Sequence, residues 1–147
     1  MIPRFGTPPM KGVRYRLRPG AYAILPRGND VLVTYQHDPD AEFQLPGGGI
    51  DAGESPLQAL HREVVEETGW HIATPRRLGA YRRFVFMPEY NLWAEKLCTI
   101  YVARPVRPVC APTEAGHTAL WMQAEDAIGL LDNSGDRAFL ESWLSWR

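Results

Sequence analysis

Residues 48–70 read Gly48-Gly49-Ile50-Asp51-Ala52-Gly53-Glu54, then Ser55 to His61, then Arg62-Glu63-Val64-Val65-Glu66-Glu67-Thr68-Gly69-Trp70. A glycine-rich loop passes straight into a helix that holds three glutamates near one face. The helix start is well specified. Ser55 is a good N-cap, Pro56 suits the first helical position and Gln58 completes a capping box. The pattern predicts a helix from Pro56 to about Thr68, and Gly69 stands where a left-handed C-terminal cap belongs. Leu57, Leu60 and Val64, extended by Val65, form its apolar stripe, with the glutamates off that stripe.

Residues three and four apart on a helix are neighbours, so Glu63 faces Glu66 and Glu67 one turn on. Like charges at that spacing cost about 0.2–0.5 kcal/mol per pair on an exposed helix. Three together suggest a cation. Hard carboxylate oxygens without nearby His or Cys ligands suit Mg²⁺, with Mn²⁺ as an alternative. A bare acidic helix is usually a solvated face. The glycine loop at fixed spacing turns the balance toward a metal site beside a loop that can approach a phosphate closely.

The spacing G-x5-E-x7-R-E-U-x-E-E-x-G-U, with U a bulky apolar residue, resembles the signature of the Nudix hydrolases. Gly48, Glu54, Arg62, Glu63, Glu66, Glu67 and Gly69 match its fixed positions, and Trp70 stands where the family usually has an aliphatic residue. The resemblance implies an α/β/α sandwich with a mixed sheet. It also implies a Mg²⁺-dependent cleavage of a phosphoanhydride in a nucleoside diphosphate linked to another moiety. By the same resemblance, Glu66 and Glu67 are the main metal ligands and Glu63 is a ligand or the general base. The Gly48 carbonyl completes the metal shell, and Arg62 and Glu54 pair to orient Glu63 and the loop. Some family members take the base from a later loop. Glu114, in Pro112-Thr113-Glu114-Ala115-Gly116-His117, is the best later candidate, so the identity of the base stays open.

Substrate choice lies outside this box. Gly47, Gly48 and Gly49 would approach the phosphates. Arg82 and Arg83 are candidates for the outer phosphates, with at least one of them facing solvent. Phe43 heads a set of aromatics, with Tyr35, His37, Tyr81, Phe84, Phe86 and Tyr90, from which a base-stacking residue would come; most should pack in the core. The markers of the ADP-ribose and dinucleoside polyphosphate classes fall out of place here, and the upstream coenzyme A pattern is absent. A MutT-like (d)NTP-type substrate remains. ADP-ribose, nucleotide sugars and dinucleoside polyphosphates are the alternatives, and a nucleotide-sensing module without turnover is the rival class.

Outward from the box, Ala21–Leu25 and Val31–Tyr35 read as strands, joined by the turn signal Arg27-Gly28-Asn29-Asp30. Phe43–Leu45 is a short strand. Pro46-Gly47-Gly48-Gly49 reads as a loop, because glycine and proline weaken a regular interior. Leu78–Met87 and Leu92–Ala103 are longer strands, and Thr118–Met122 is a short one. Glu125–Leu131 and Asp136–Trp146 are helical. Strands around a central helix, with helices at the end, indicate an α/β sandwich with a mixed sheet.

The 147 residues suffice for one domain with a real core, and the first dozen, rich in Pro and Gly, read as a loose arm. Arg14, Arg16 and Arg18 alternate, which would put them on one, solvated, face of a strand. A net charge of −1, with apolar residues at 45%, points away from bulk nucleic acid as a partner. The resemblance implies a small nucleotide as partner, and a homodimer stays open, since family members often dimerise. The N-terminus carries no signal-like apolar run, and no apolar span is long enough for a membrane. Cys98 and Cys110 are too few for a disulfide framework, so a reducing, cytoplasmic setting is expected.

Overall fold

The helix that the box predicts forms as read. In the computed structural model, which describes residues 1–38 and 40–147, α1 spans Pro56–Thr68. Ser55 and Gln58 make the reciprocal capping box, and Gly69 closes the helix at φ 75°. Ahead of it lie β1 (Arg16–Ile24), β2 (Pro26–Arg27), β3 (Asp30–Gln36), β4 (Glu42–Gln44) and β5 (Gly47–Gly49). After it come β6 (Trp70–Met87), a 3-10 turn at Pro88–Tyr90, β7 (Leu92–Pro108), β8 (His117–Gln123), α2 (Ala124–Leu130) and α3 (Ser134–Trp146).

Two sheets result. One has the order β5-β1-β7-β6, with β1 and β7 parallel and the other pairs antiparallel. In the other, β3 is the spine and pairs antiparallel with β2, β4 and β8. Side chains alternate across each strand, so both faces can be buried. On β1, Ala21 and Ala23 join Leu60 and Val64 of α1 in one apolar cluster, while Ile24 points the other way toward Leu131, Leu140 and Trp143. This is the expected α/β sandwich with a mixed sheet, helices lying on both sides.

Three expectations need correction. Gly47–Gly49 is an edge strand rather than a loop, antiparallel to Gly20–Tyr22. Lack of side chains is what permits it. A Cβ on Gly47 would meet the Ala21 carbonyl oxygen at 2.2 Å, and Gly47 itself sits at φ 143°. The N-terminal arm is not loose at Pro3–Phe5. Phe5 donates to the Arg82 carbonyl and Arg82 donates to that of Pro3, both at 2.9 Å. Lastly, Leu57 is exposed while Glu67 is buried, only 4% exposed. The helix is therefore rotated so that one glutamate faces inward. Among the described residues, no helix is long and apolar enough to cross a membrane.

Candidate functional site

Arg62 organises the acidic face of α1. Its Nε and Nη2 grip both Glu54 carboxylate oxygens at 2.6 and 2.8 Å, a bidentate pair. Nη1 donates to Glu63 Oε1 at 3.0 Å and Glu66 Oε2 at 3.1 Å, and Nη2 also reaches the Gly49 carbonyl at 3.0 Å. One guanidinium thus ties the loop, the glycine strand and two turns of helix together. The Arg62 fork, helped by the Asp51 N–H, holds Glu54 well below the usual carboxylate range, at about 2. The same bonds push the Arg62 guanidinium further up.

Glu67 has the opposite environment. Its Oε1 accepts from the Gly47 N–H at 3.1 Å, and His117 Nε2 lies 3.5 Å from Oε2. Burial raises its pKa well above the ordinary value, the Gly47 N–H opposes that, and the charges of Glu63, Glu114 and Glu66 add to it. Glu63 is also pushed up, by burial first, with Arg62 pulling the other way. Its carboxylate occupies the space that a side chain on Gly48 would need, for a Cβ there would lie 2.5 Å from Glu63 Cδ.

Glu114 arrives from the far side of the chain. The Thr113 and Glu114 N–H groups both donate to the Glu66 carbonyl at 2.8 Å, which pins their loop to the last turn of α1. Glu63, Glu67 and Glu114 consequently line one cleft of about 410 Å³, together with Gly47, Gly48 and Gly49. That volume is enough for a small ligand.

The donor set fits a divalent cation in its chemistry. Like charges crowd together, all are hard oxygens, and Gly48 leaves room beside Glu63. In this arrangement, though, no three His, Cys, Asp or Glu side chains among the described residues converge as a ready-made metal cage. The reason is visible. Arg62 holds Glu63 and Glu66, and Glu67 is shared between Gly47 and His117. Glu66 stands on Arg62 outside the cleft lining, half-exposed.

The remaining expected residues divide. Phe43 does not line the cleft; its ring lies 4.8 Å from that of Tyr35 and its N–H donates to Asp132 at 2.7 Å. Arg82 is also outside the cleft, paired with Glu95 at 3.1 Å, because successive residues on β6 face opposite ways. Arg83 is the one that lines the cleft. Of the aromatics, Phe86 and Tyr90 line it and Tyr81 is core. Arg18, Lys96 and Tyr22 also line it and were not singled out as site residues from sequence. The alternation Arg16-x-Arg18 was readable, but the strand pairing that brings Lys96 alongside was not.

Comparison with known proteins follows the same lines. The family model described as the NUDIX domain matches residues 15–143. A Bacillus subtilis (strain 168) protein, whose name gives it provisionally as an 8-oxo-dGTP diphosphatase, is 34% identical over 74 residues, half of each chain. An RNA pyrophosphohydrolase of Helicobacter pylori (strain ATCC 700392 / 26695) is 42% identical over 59 residues, 37% of this chain and 38% of that one. The chain thus spans half or less of the length of these curated relatives. Among solved structures, a NUDIX hydrolase from Nitrosomonas europaea superposes with a TM-score of 0.72 at 17% identity, covering 88% of this chain and 90% of that one. The mutator MutT protein from Bacillus halodurans gives 0.69 at 22%, covering 84% and 80%. At such identities the structures speak for the fold alone.

Proposed function

The chain belongs to the NUDIX domain family, and on that premise we propose that it is a divalent-metal-dependent pyrophosphohydrolase acting on a nucleoside diphosphate linked to another moiety. The carrying observation is that Glu63, Glu67 and Glu114, from two separate segments, meet beside a glycine strand in one cleft.

Glu63, Glu66 and Glu67, with the Gly48 carbonyl, would hold Mg²⁺ or Mn²⁺. When bound, the metal neutralises diphosphate charge and makes water more acidic. The chain's residues do the rest. Arg62 and Glu54 lock the loop against the helix, which keeps Glu63 and the Gly47–Gly49 backbone in place. Release of Glu66 from Arg62 is needed for it to join the ligand set. Glu114 or Glu63 takes the proton from the attacking water; both line the cleft, and burial raises the Glu63 pKa, which suits a base. Phosphorus–oxygen cleavage then yields a nucleoside monophosphate and the phosphorylated remainder.

A MutT-like (d)NTP-type substrate is the first choice, supported by the name of the Bacillus subtilis relative, while the name of the Helicobacter pylori relative adds an RNA 5′ end as an alternative. Free Cys98 and Cys110 support a reducing setting. The test is a panel incubated with Mg²⁺: (d)NTPs and oxidised forms, ADP-ribose, nucleotide sugars, dinucleoside polyphosphates and 5′-triphosphate RNA, with products identified by mass spectrometry. One class should turn over, and Glu67→Gln should lower its kcat at least about a hundredfold with the fold intact. Absence of metal binding would overturn the proposal. Metal binding without turnover would move it to a nucleotide sensor.

A further inference from the structure

The strand pairing sets three cations in a row. Arg18 of β1 is in register with Lys96 of β7, and Lys96 is in register with Arg83 of β6. Directly paired residues share a face of the sheet, with neighbouring strands about 4.8 Å apart. All three are half-buried and line the cleft. Among the described residues none of the three has an ion-pair partner, whereas Arg62 and Arg82 are both paired. Arg18 is steadied from outside by the Tyr90 ring, 4.7 Å from its guanidinium carbon. Acids also line the cleft, but Glu42 is engaged by the Gln44 amide and Asp51 by Arg62, while Asp40 and Glu89 are exposed at its rim. Behind the row, buried Asp136 shares a small cavity with Lys96 and Arg83 but makes no ion pair with either and is bonded to Tyr81 and the Leu45 N–H.

The cleft is therefore bipolar. Its carboxylates gather where β5 meets α1. The cationic row crosses the sheet at Arg18, two residues before Gly20 on β1, the residue that pairs with Gly49. At strand rise that is roughly 7 Å. A neutral sugar or base placed on the row could accept hydrogen bonds from it but would leave three desolvated charges without a counter-charge. One monoanion would satisfy only part of it. We propose that Arg18, Lys96 and Arg83 form a metal-independent subsite for the outer phosphates of an oligophosphate chain, so that the substrate carries three or more phosphates in line. This rests on the hydrolase reading of the same cleft. It makes substrates whose second moiety is a neutral sugar the poor ones.

The test is isothermal titration calorimetry of the full chain with sodium tripolyphosphate and with pyrophosphate, in chelator, so that no metal contributes. Wild type should bind tripolyphosphate at least about tenfold more tightly than pyrophosphate. Lys96→Gln and Arg83→Gln should each weaken tripolyphosphate roughly ten- to hundredfold. Arg107→Gln, the same charge change at an exposed strand end, should leave it unchanged. Lys96→Arg keeps the charge and should keep the binding. Equal affinity for the two anions, or an equal loss in Arg107→Gln, overturns the subsite. Thermal melts accompany each variant, and Arg83→Gln decides the matter if Lys96→Gln does not fold. Tripolyphosphate preference without any turnover would leave the row standing and sink the hydrolase reading; turnover without the preference would do the reverse.

Discussion

Glu54 and Glu67 are the same residue type a few turns apart, and their surroundings drive them in opposite directions. Arg62 keeps Glu54 ionised far into acid, while burial and three neighbouring carboxylates make the Glu67 charge costly. Because its folded pKa is raised, the folded protein holds a proton on Glu67 more tightly than the unfolded chain does. The stability from that proton is fully present below the ordinary carboxylate value and is lost as pH rises through the raised one. Glu67→Gln removes this titration. Its amide oxygen can still accept from the Gly47 N–H, and its NH₂ can donate to His117. In chelator at pH 7.5 the variant should therefore melt about 2–4 °C above wild type, the gain closing toward pH 4. A lower melting point at pH 7.5 would show that the charge stabilises the fold. Such a gain, together with lost turnover, is what a site built for function over stability predicts.

Helix α1 owes its position to its ends. Gly69 is left-handed, and a Cβ there would meet the Cys110 carbonyl at 2.0 Å. Gly53, in the loop before the helix, has φ 84° with nothing within 4 Å of an added Cβ. The pair separates backbone strain from tertiary contact. Gly53→Ala should cost about 1–2 kcal/mol, the left-handed penalty alone. Gly69→Ala should cost about 2–5 kcal/mol, since the clash adds to it. Urea unfolding measures both, and equal costs would mean that the segment around Cys110 yields freely. That segment matters for the site. Val109 donates to the Gly69 carbonyl at 2.8 Å, and Thr113 and Glu114 bond to the Glu66 carbonyl just beyond. The C-terminal end of one helix therefore delivers a carboxylate from a distant loop.

Across the whole molecule, the two sheets and α3 are tied by one buried network. Tyr81 on β6 donates to Asp136 Oδ1 at 2.7 Å, Asp136 Oδ2 accepts from the Leu45 N–H at 3.2 Å, and the Asn133 amide donates to Tyr81 at 2.6 Å. Burial raises the Asp136 pKa and these bonds, with Arg83 and Lys96, oppose it. Tyr81→Phe leaves an acceptor and a donor unpaired in the interior, so the urea midpoint should fall by an amount worth about 1–3 kcal/mol at unchanged slope. An unchanged midpoint would mean that water replaces the hydroxyl. Residues 48–70 alone determined α1, its caps and the family, because those signals are local: a cap needs neighbours one turn away and a helical face repeats every few residues. The strands were legible as segments for the same reason, through alternation. Three things were decided only by tertiary structure. The glycine run became an edge strand because Tyr22 and Glu63 fill the space its missing side chains leave. Arg83 rather than Arg82 turned to the cleft, since the facing of a strand is set by what its partners bury. Arg18 and Lys96, 78 positions apart in the chain, became neighbours through a parallel pairing that no local pattern encodes.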